Sequence, residues 1–292
     1  MEQTKNWYDK YYKLTIIIPA VFLLFSLIYL FNFNIKNGDL IYRDITITGG
    51  TTITILDKNL DIDKLKIDLG TEFEDMSIRR LSDLGTGDQK GIIIETKAEA
   101  DIIKEKLEEY LGYALTQDNS SVEFSVQALS SGFYQQLRLA IVIAFILMAL
   151  VVFFVFKTFL PSFAVILSAF ADIVMTIAVV DLLGMQLSIA GIVAFLMLIG
   201  YSVDTDILLT SRSLKNDYGT LNLRLYEAFK TGITMTLTAI VAVGVSLIVI
   251  YGYSEVLEQI FTILLIGLGF DIINTWLTNA PLLKWYIEAK IK

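Results

Sequence analysis

Six long apolar runs alternate with polar connections along the 292-residue chain, at roughly 14–33, 139–156, 159–182, 187–210, 231–251 and 256–283. Each run is near the ~20 residues an α-helix needs to cross the hydrocarbon core of a bilayer. The pattern predicts six membrane-spanning helices. The first run is too long for the apolar region of a cleavable signal peptide. Asn32, Phe33, Asn34, Ile35 and Lys36 follow it where a small-x-small cleavage site would stand. It is read as a retained anchor. Between the first two runs lies a polar insert with shorter periodicities of its own. Ile45, Ile47, Ile53 and Ile55 alternate with threonines, which predicts a strand or bent strand, with Gly49-Gly50 as a bulge or close approach. A helix is predicted over 60–70, strands at Ile78–Leu81 and Ile92–Ile94 around the turn-rich Asp83–Asp88, a helix over 98–111, and a last strand at Val122, Phe124 and Val126. That order, β-α-β-β-α-β, is the ferredoxin-like arrangement. The expected organisation is residues 1–36 for the N-terminus and first span, 37–136 for the ferredoxin-like domain, and 137–292 for spans two to six and the C-terminus.

Charge adds an orientation. The N-terminus carries Lys5, Lys10 and Lys13, and the connection after span two carries Lys157. Arg212, Lys215, Arg224 and Lys230 follow span four, and Lys284, Lys290 and Lys292 close the chain. The connections after spans three and five have neither Lys nor Arg. The positive-inside rule then predicts cytoplasmic termini in the cell membrane and an extracellular insert. Asn119-Ser120-Ser121 is an N-glycosylation sequon in that insert.

Composition narrows the chemistry. The mean hydropathy of +0.62 excludes an ordinary soluble enzyme. The chain has no Cys and no His, which removes disulfides, thiolate or imidazole metal sites and His-based triads. The net charge of -8 argues against a nucleic-acid partner, and no GxxxxGK[ST] phosphate loop is present. An enzyme is not expected, nor is a cofactor or metal. Proton chemistry would fall to carboxylates and lysines.

Ionisable groups inside a membrane are the informative ones, because each costs ~2.5–3.5 kcal/mol on insertion scales unless paired or hydrated. The candidates are Asp172 in span three, Asp204 and Asp206 in span four, Lys230 at the start of span five and Asp271 in span six. Asp204 and Asp206 are two residues apart and point to roughly opposite sides of their helix. Either could instead be solvated near the cytoplasm or pair with Arg212. Asp172 and Asp271 could instead be hydrogen-bonded packing residues. Lys230, Thr234 and Thr238, with Thr231 beside them, form a polar stripe. It reads either as interhelical hydrogen bonding with a snorkelling lysine or as one wall of a hydrated path. Gly191, Gly200, Gly244, Gly267 and Gly269 are expected to let helices approach closely.

Specific runs add a resemblance. Phe159-Leu160-Pro161-Ser162, Ala171-Asp172-Ile173-Val174 and the long segment from Leu196 through Gly200-Tyr201-Ser202-Val203-Asp204-Thr205-Asp206 to Thr210 resemble the SecF proteins of the SecD/SecF protein-export family, in their archaeal form. Leu265–Gly269 and Asp271–Trp276 are similar as well. Thr48-Gly49-Gly50-Thr51 matches the short signature of the external domain. The resemblance implies a SecD partner and a twelve-span assembly with the pseudo-symmetry of the RND transporters. It implies action on secreted polypeptides beside the SecY channel, driven in bacteria by the proton gradient. An acid of the fourth span lies in the proton path there, which points to Asp204 and Asp206, and a cation of the fifth span points to Lys230. On this view Asp204 changes protonation as it faces alternate sides of the membrane. The chain departs from the bacterial pattern in four places. Asp204-Thr205-Asp206 replaces Asn-Asp-Thr, Lys230 replaces Arg, Ala171-Asp172 replaces His-Asp, and Thr46 replaces an acid. The alternative reading is half of an RND-type exporter of small molecules or lipids. A third is a structural partner whose carboxylates only pack helices.

Overall fold

The computed structural model describes residues 7–291 except 45, 46, 48, 71, 74, 75, 83–87, 126, 216–218, 252 and 253. Thr48 of the signature, Ile45 and Thr46, most of the Asp83–Asp88 turn, Val126, Lys5 and Lys292 therefore lie outside the described residues. The chain runs α1 (Trp7–Thr15), α2 (Ile17–Asn37), β1 (Gly50–Ile55), α3 (Ile62–Gly70), β2 (Ser77–Ser82), β3 (Gln89–Thr96), α4 (Ala100–Leu111), β4 (Ser120–Ser125) and α5 (Gln127–Phe156). It continues through α6 (Phe159–Leu182), α7 (Ile189–Leu214), α8 (Leu221–Ile250), α9 (Glu255–Asn274), a π-helical turn (Thr275–Asn279) and α10 (Ala280–Ile291).

Among the described residues six stretches are helical, long and apolar enough to cross a membrane: Lys10–Asn37, Tyr134–Phe156, Phe159–Leu182, Ile189–Leu214, Leu221–Ile250 and Val256–Lys290. They match the six runs read from the sequence. Their helices extend further than their apolar cores. Helix α5 starts at Gln127, well before the expected boundary at 136/137, because hydropathy marks the lipid-facing part of a helix and not its hydrogen-bonded extent. Helices α6 and α7 hold the centre. Of their apolar windows 61% and 56% are buried, against 6% for both α5 and α8. Gly267 permits the tightest approach between α9 and α7, since a Cβ there would lie 2.4 Å from Leu198. Gly191 is similarly crowded, by Leu187 and Gln259, whereas Gly200 and Gly269 face open space and Gly244 touches Leu265 only at 3.9 Å.

The insert forms a four-stranded antiparallel sheet of order β2-β3-β1-β4. Strand period two decides its faces. Ile53 and Ile55 of β1 and Ile92 and Ile94 of β3 are fully buried beneath Leu65, Leu69, Ile103 and Leu107 of α3 and α4. Thr52 and Thr54 point the other way, into a cleft of about 680 Å³ that also receives Ser188 and Gln259 from the ends of the spans. Gly49 takes φ 77°, a left-handed conformation that costs glycine nothing, just before β1 starts at Gly50. The buried Thr51 hydroxyl donates to the Ala98 carbonyl at 2.7 Å, tying β1 to the segment between β3 and α4. Backbone bonds Leu187 N to Tyr42 O (2.6 Å) and Asp44 N to Leu187 O (3.0 Å) join the insert's base to the α6–α7 connection.

Among the described residues, nine buried apolar side chains form a small core under this sheet. Ile94→Ala is expected to cost about 2–5 kcal/mol of the insert's stability. Hydrogen exchange in β1 and β3 of the full chain should speed up while the spans stay protected. Unchanged protection in both strands would contradict this placement.

Candidate functional site in the centre of the bundle

Three carboxyl groups meet where α6, α7 and the α9–π junction pack together. Asp172, Asp206 and Asp271 are each 0% exposed. Asp172 accepts from Ser202 Oγ at 2.5 Å and Asn274 Nδ2 at 2.7 Å. Asp206 Oδ1 accepts from Asn279 Nδ2 at 2.7 Å and Thr275 Oγ1 at 3.0 Å. Thr275 Oγ1 also lies 3.3 Å from Asp271 Oδ1, and Thr236 Oγ1 of α8 lies 3.4 Å from Asp271 Oδ2. A hydroxyl has one proton, so Thr275 donates to Asp206 or to Asp271 at any moment, and it links the two.

The π turn carries two of these partners, Thr275 and Asn279. The Ala280 N–H bonds the Thr275 carbonyl, five residues back. Pro281 comes next, offers no N–H and crowds the carbonyl four residues before it. Asn274 at the end of α9, Thr275 at the start of the turn and Asn279 at its end are all fully buried on the side of the acids. Trp276 packs into the space left by Gly232 of α8, where a Cβ would sit 2.7 Å from its ring.

The partners named for the three carboxyls are hydroxyls and carboxamides, not cations. An ionised carboxylate in such a low-dielectric site is costly without a counter-charge, whereas a protonated one is neutral and can donate. The arrangement suits groups that gain and lose protons in turn. Among the described residues no group of three or more Asp, Glu, Cys or His is arranged to hold a metal ion.

The other candidates lie elsewhere. Asp204 is on the exposed face of α7, opposite to Asp206, and Lys230 is exposed on α8. Arg212 pairs with neither aspartate. Its Nη1 donates to Thr231 Oγ1 at 2.9 Å and to the Glu227 carbonyl at 3.1 Å. Thr234 and Thr238 are exposed and donate back to carbonyls of their own helix, to Lys230 O and Thr234 O, each at 2.7 Å. With Arg212, Glu227, Thr231 and Met235, Lys230 and Thr234 line an open groove of about 480 Å³. The stripe therefore faces away from the acids. The α8 residue that reaches them is Thr236, which the period-four count from Lys230 skips.

Sequence reasoning did not single out Ser202 as a ligand of Asp172, nor Thr236, Asn274, Thr275 or Asn279 as partners of the acids. A signal was available: polar residues at 271, 274, 275, 278 and 279 interrupt an otherwise apolar span at helical spacing.

Comparison with known proteins agrees with this architecture. The family model described as "Protein export membrane protein SecD/SecF, C-terminal" matches residues 104–289, more than half of the chain. The protein-export membrane protein SecF of Methanocaldococcus jannaschii is 42% identical over 284 residues, covering 95% of this chain and 96% of its own. SecF of Pyrococcus furiosus is 32% identical and covers 95% and 92%. The crystal structure of SecDF, a translocon-associated membrane protein from Thermus thermophilus, superposes with a TM-score of 0.72 at 16% identity. The match covers 98% of this chain but only 39% of that longer one, and at this identity it speaks for the fold. Six spans, a small antiparallel sheet between the first two, and this extent of identity lead to one conclusion: the chain belongs to the SecD/SecF family, as a multi-pass protein-export membrane protein of the SecF type.

Proposed function

We propose that this chain is an accessory subunit of protein export that works with a SecD-type six-span partner beside the SecY channel, and that proton exchange at Asp172, Asp206 and Asp271 drives it. The observation that carries the proposal is the convergence of three fully buried carboxyls from three spans on hydroxyl and amide partners. Protonation changes which groups donate in that network, so it shifts the preferred packing of α6, α7 and α9. The sheet insert, joined at its base to the α6–α7 connection, moves with those helices. It acts on the secreted polypeptide emerging from the channel.

In this proposal the chain lies in the cell membrane with both termini cytoplasmic. The insert is a ferredoxin-like domain outside. The clustering of short basic segments on one side supports the orientation. The β-α-β-β-α-β order with strands β2-β3-β1-β4 supports the domain assignment. The partner occupies the α7–α8 face. Asp204, Lys230, Thr234 and Thr238 are exposed there at membrane depth, where lipid is a poor neighbour for them.

Affinity purification from native membranes tests the partnership. A SecD-type subunit should co-purify, and Asp204→Leu should weaken its retention. A self-sufficient homodimer that transports a drug or lipid would favour the RND-type exporter reading instead.

A further inference from the structure

Polar atoms left without a hydrogen bond are not spread evenly through the bundle. Among the described residues most lie on the side of the acids towards the chain termini, on the buried side chains Thr205 Oγ1, Asp206 Oδ2, Thr210 Oγ1, Trp276 Nε1, Asn279 Oδ1 and Ser162 Oγ; Ser168 Oγ and Asn274 Oδ1 lie beside the acids, and Asp181 Oδ2 lies at the sheet-side end of α6. Thr210 is one helical turn below Asp206, and Ser162 is in the first turn of α6. On the side towards the sheet the interior is mostly apolar, with Thr176 bonded to its own helix and Asp181 at the outer end of α6 as buried polar groups. Met175, Ala178, Phe195, Leu198, Ile263 and Leu268 are buried there, and Leu198 closes against Gly267 without space for a Cβ. Buried polar atoms in native proteins are nearly always satisfied, by protein or by ordered water. An apolar interior of this density stays dry.

We infer that a file of water molecules occupies the terminal-side half of the bundle, along Ser162, Thr210 and Asn279 up to Asp206, while the sheet-side half is sealed. In this conformation the carboxyl cluster communicates with the terminal side only. The use of that file as a proton route rests on the proton-coupling reading above; the hydration itself does not. The file leads towards a polar group at the end of the bundle. There the buried Lys284 donates to Asn222 Oδ1 at 2.7 Å and lies 3.9 Å from Glu288, whose side chain is 44% exposed. Glu288 also accepts from Tyr12 at 2.8 Å. The groove beside Lys230 lies on the outer face of α8 and is not this route.

The test uses the absence of native cysteine in the chain. Single substitutions Ser162→Cys and Thr210→Cys report on the file. Ala178→Cys and Ala194→Cys report on the sealed half, where both alanines are buried. Each full-length variant, with its co-purifying partner, is placed in vesicles and exposed to a charged methanethiosulfonate from one face at a time. The file positions should react at least ten-fold faster than the sealed ones, and only from the terminal side. Equal rates at the four positions, or faster reaction from the sheet side, would overturn the inference. Ser162→Cys and Thr210→Cys are nearly isosteric, the two alanine replacements each add one sulfur atom, and a variant enters the comparison only if it retains the partner. Labelling and export separate the two readings. Labelling as expected with normal gradient-dependent export in Asp206→Asn would keep the water file and remove proton coupling. The reverse pair of results would keep coupling and remove this route.

Discussion

Asp206→Asn is expected to reduce export to the level that wild-type membranes show when a protonophore has collapsed the gradient. Asparagine keeps the shape of the side chain and keeps an oxygen where Asp206 Oδ1 accepts from Thr275 and Asn279. It cannot release a proton. The helices should therefore assemble as before while the titratable element is gone. A leucine there would be a poorer test, because it strands two buried donors at about 1–3 kcal/mol each and confuses coupling with folding. The measurement is export into vesicles with and without the gradient, alongside recovery of the intact complex. Asp204→Asn is the matched comparison. Asp204 is exposed on the other side of α7, so its loss should affect retention of the partner more than gradient dependence. Full gradient dependence in Asp206→Asn, or its loss in Asp204→Asn alone, would move the proton role away from the buried cluster.

Gly91→Ala should be the most damaging single change in the sheet insert. The added Cβ would lie 2.1 Å from the carbonyl oxygen of Ile55 and 3.1 Å from the Leu56 Cα. Those are backbone atoms of the neighbouring strand and cannot rotate away. The β1–β3 ladder, which pairs Ile55 with Ile92, must open at that end. Overpacking costs about 1–3 kcal/mol when side chains can adjust, and a backbone clash sits at the upper end of that range. The insert has only a small core to offset it. Limited proteolysis of the full chain should cut between α2 and α5 in the variant at protease levels that leave the wild type whole, with the spans remaining intact. Wild-type resistance would mean that β1 and β3 do not pack as closely as described.

The spans were legible because a bilayer imposes a length and a composition that no other environment demands together. The insert's elements were legible because one buried face writes period two into Ile53 and Ile55 and helical spacing into Ile103 and Leu107. The length of α5 was not, since Gln135 and Gln136 continue a helix as readily as apolar residues do. At the site, Asp172 and Asp271 were recognisable as acids at mid-span, but their company was hidden. Asn274 and Thr275 stand three and four residues after Asp271 on its helical face, whereas Asn279 faces the acids partly because the π turn changes the helical phase. One extra residue in a turn rotates all later side chains by about 100°. Thr236 was overlooked beside the more regular Thr234 and Thr238 for a related reason. A regular stripe on a membrane helix can face a partner as well as the interior.

Sequence alone was sufficient for six spans, a β-α-β-β-α-β insert, the expected sidedness of the short basic segments, and the exclusion of cysteine and histidine chemistry. Each follows from local composition and periodicity, which act on a residue through its immediate neighbours in the chain. Which of Asp204 and Asp206 is buried was decided by the tertiary structure. The two acids differ by only two positions and are chemically the same. What separates them is the direction from which α6, α9 and the π turn approach α7. That depends on crossing angles and on Leu198 fitting against Gly267, contacts between residues far apart in the chain.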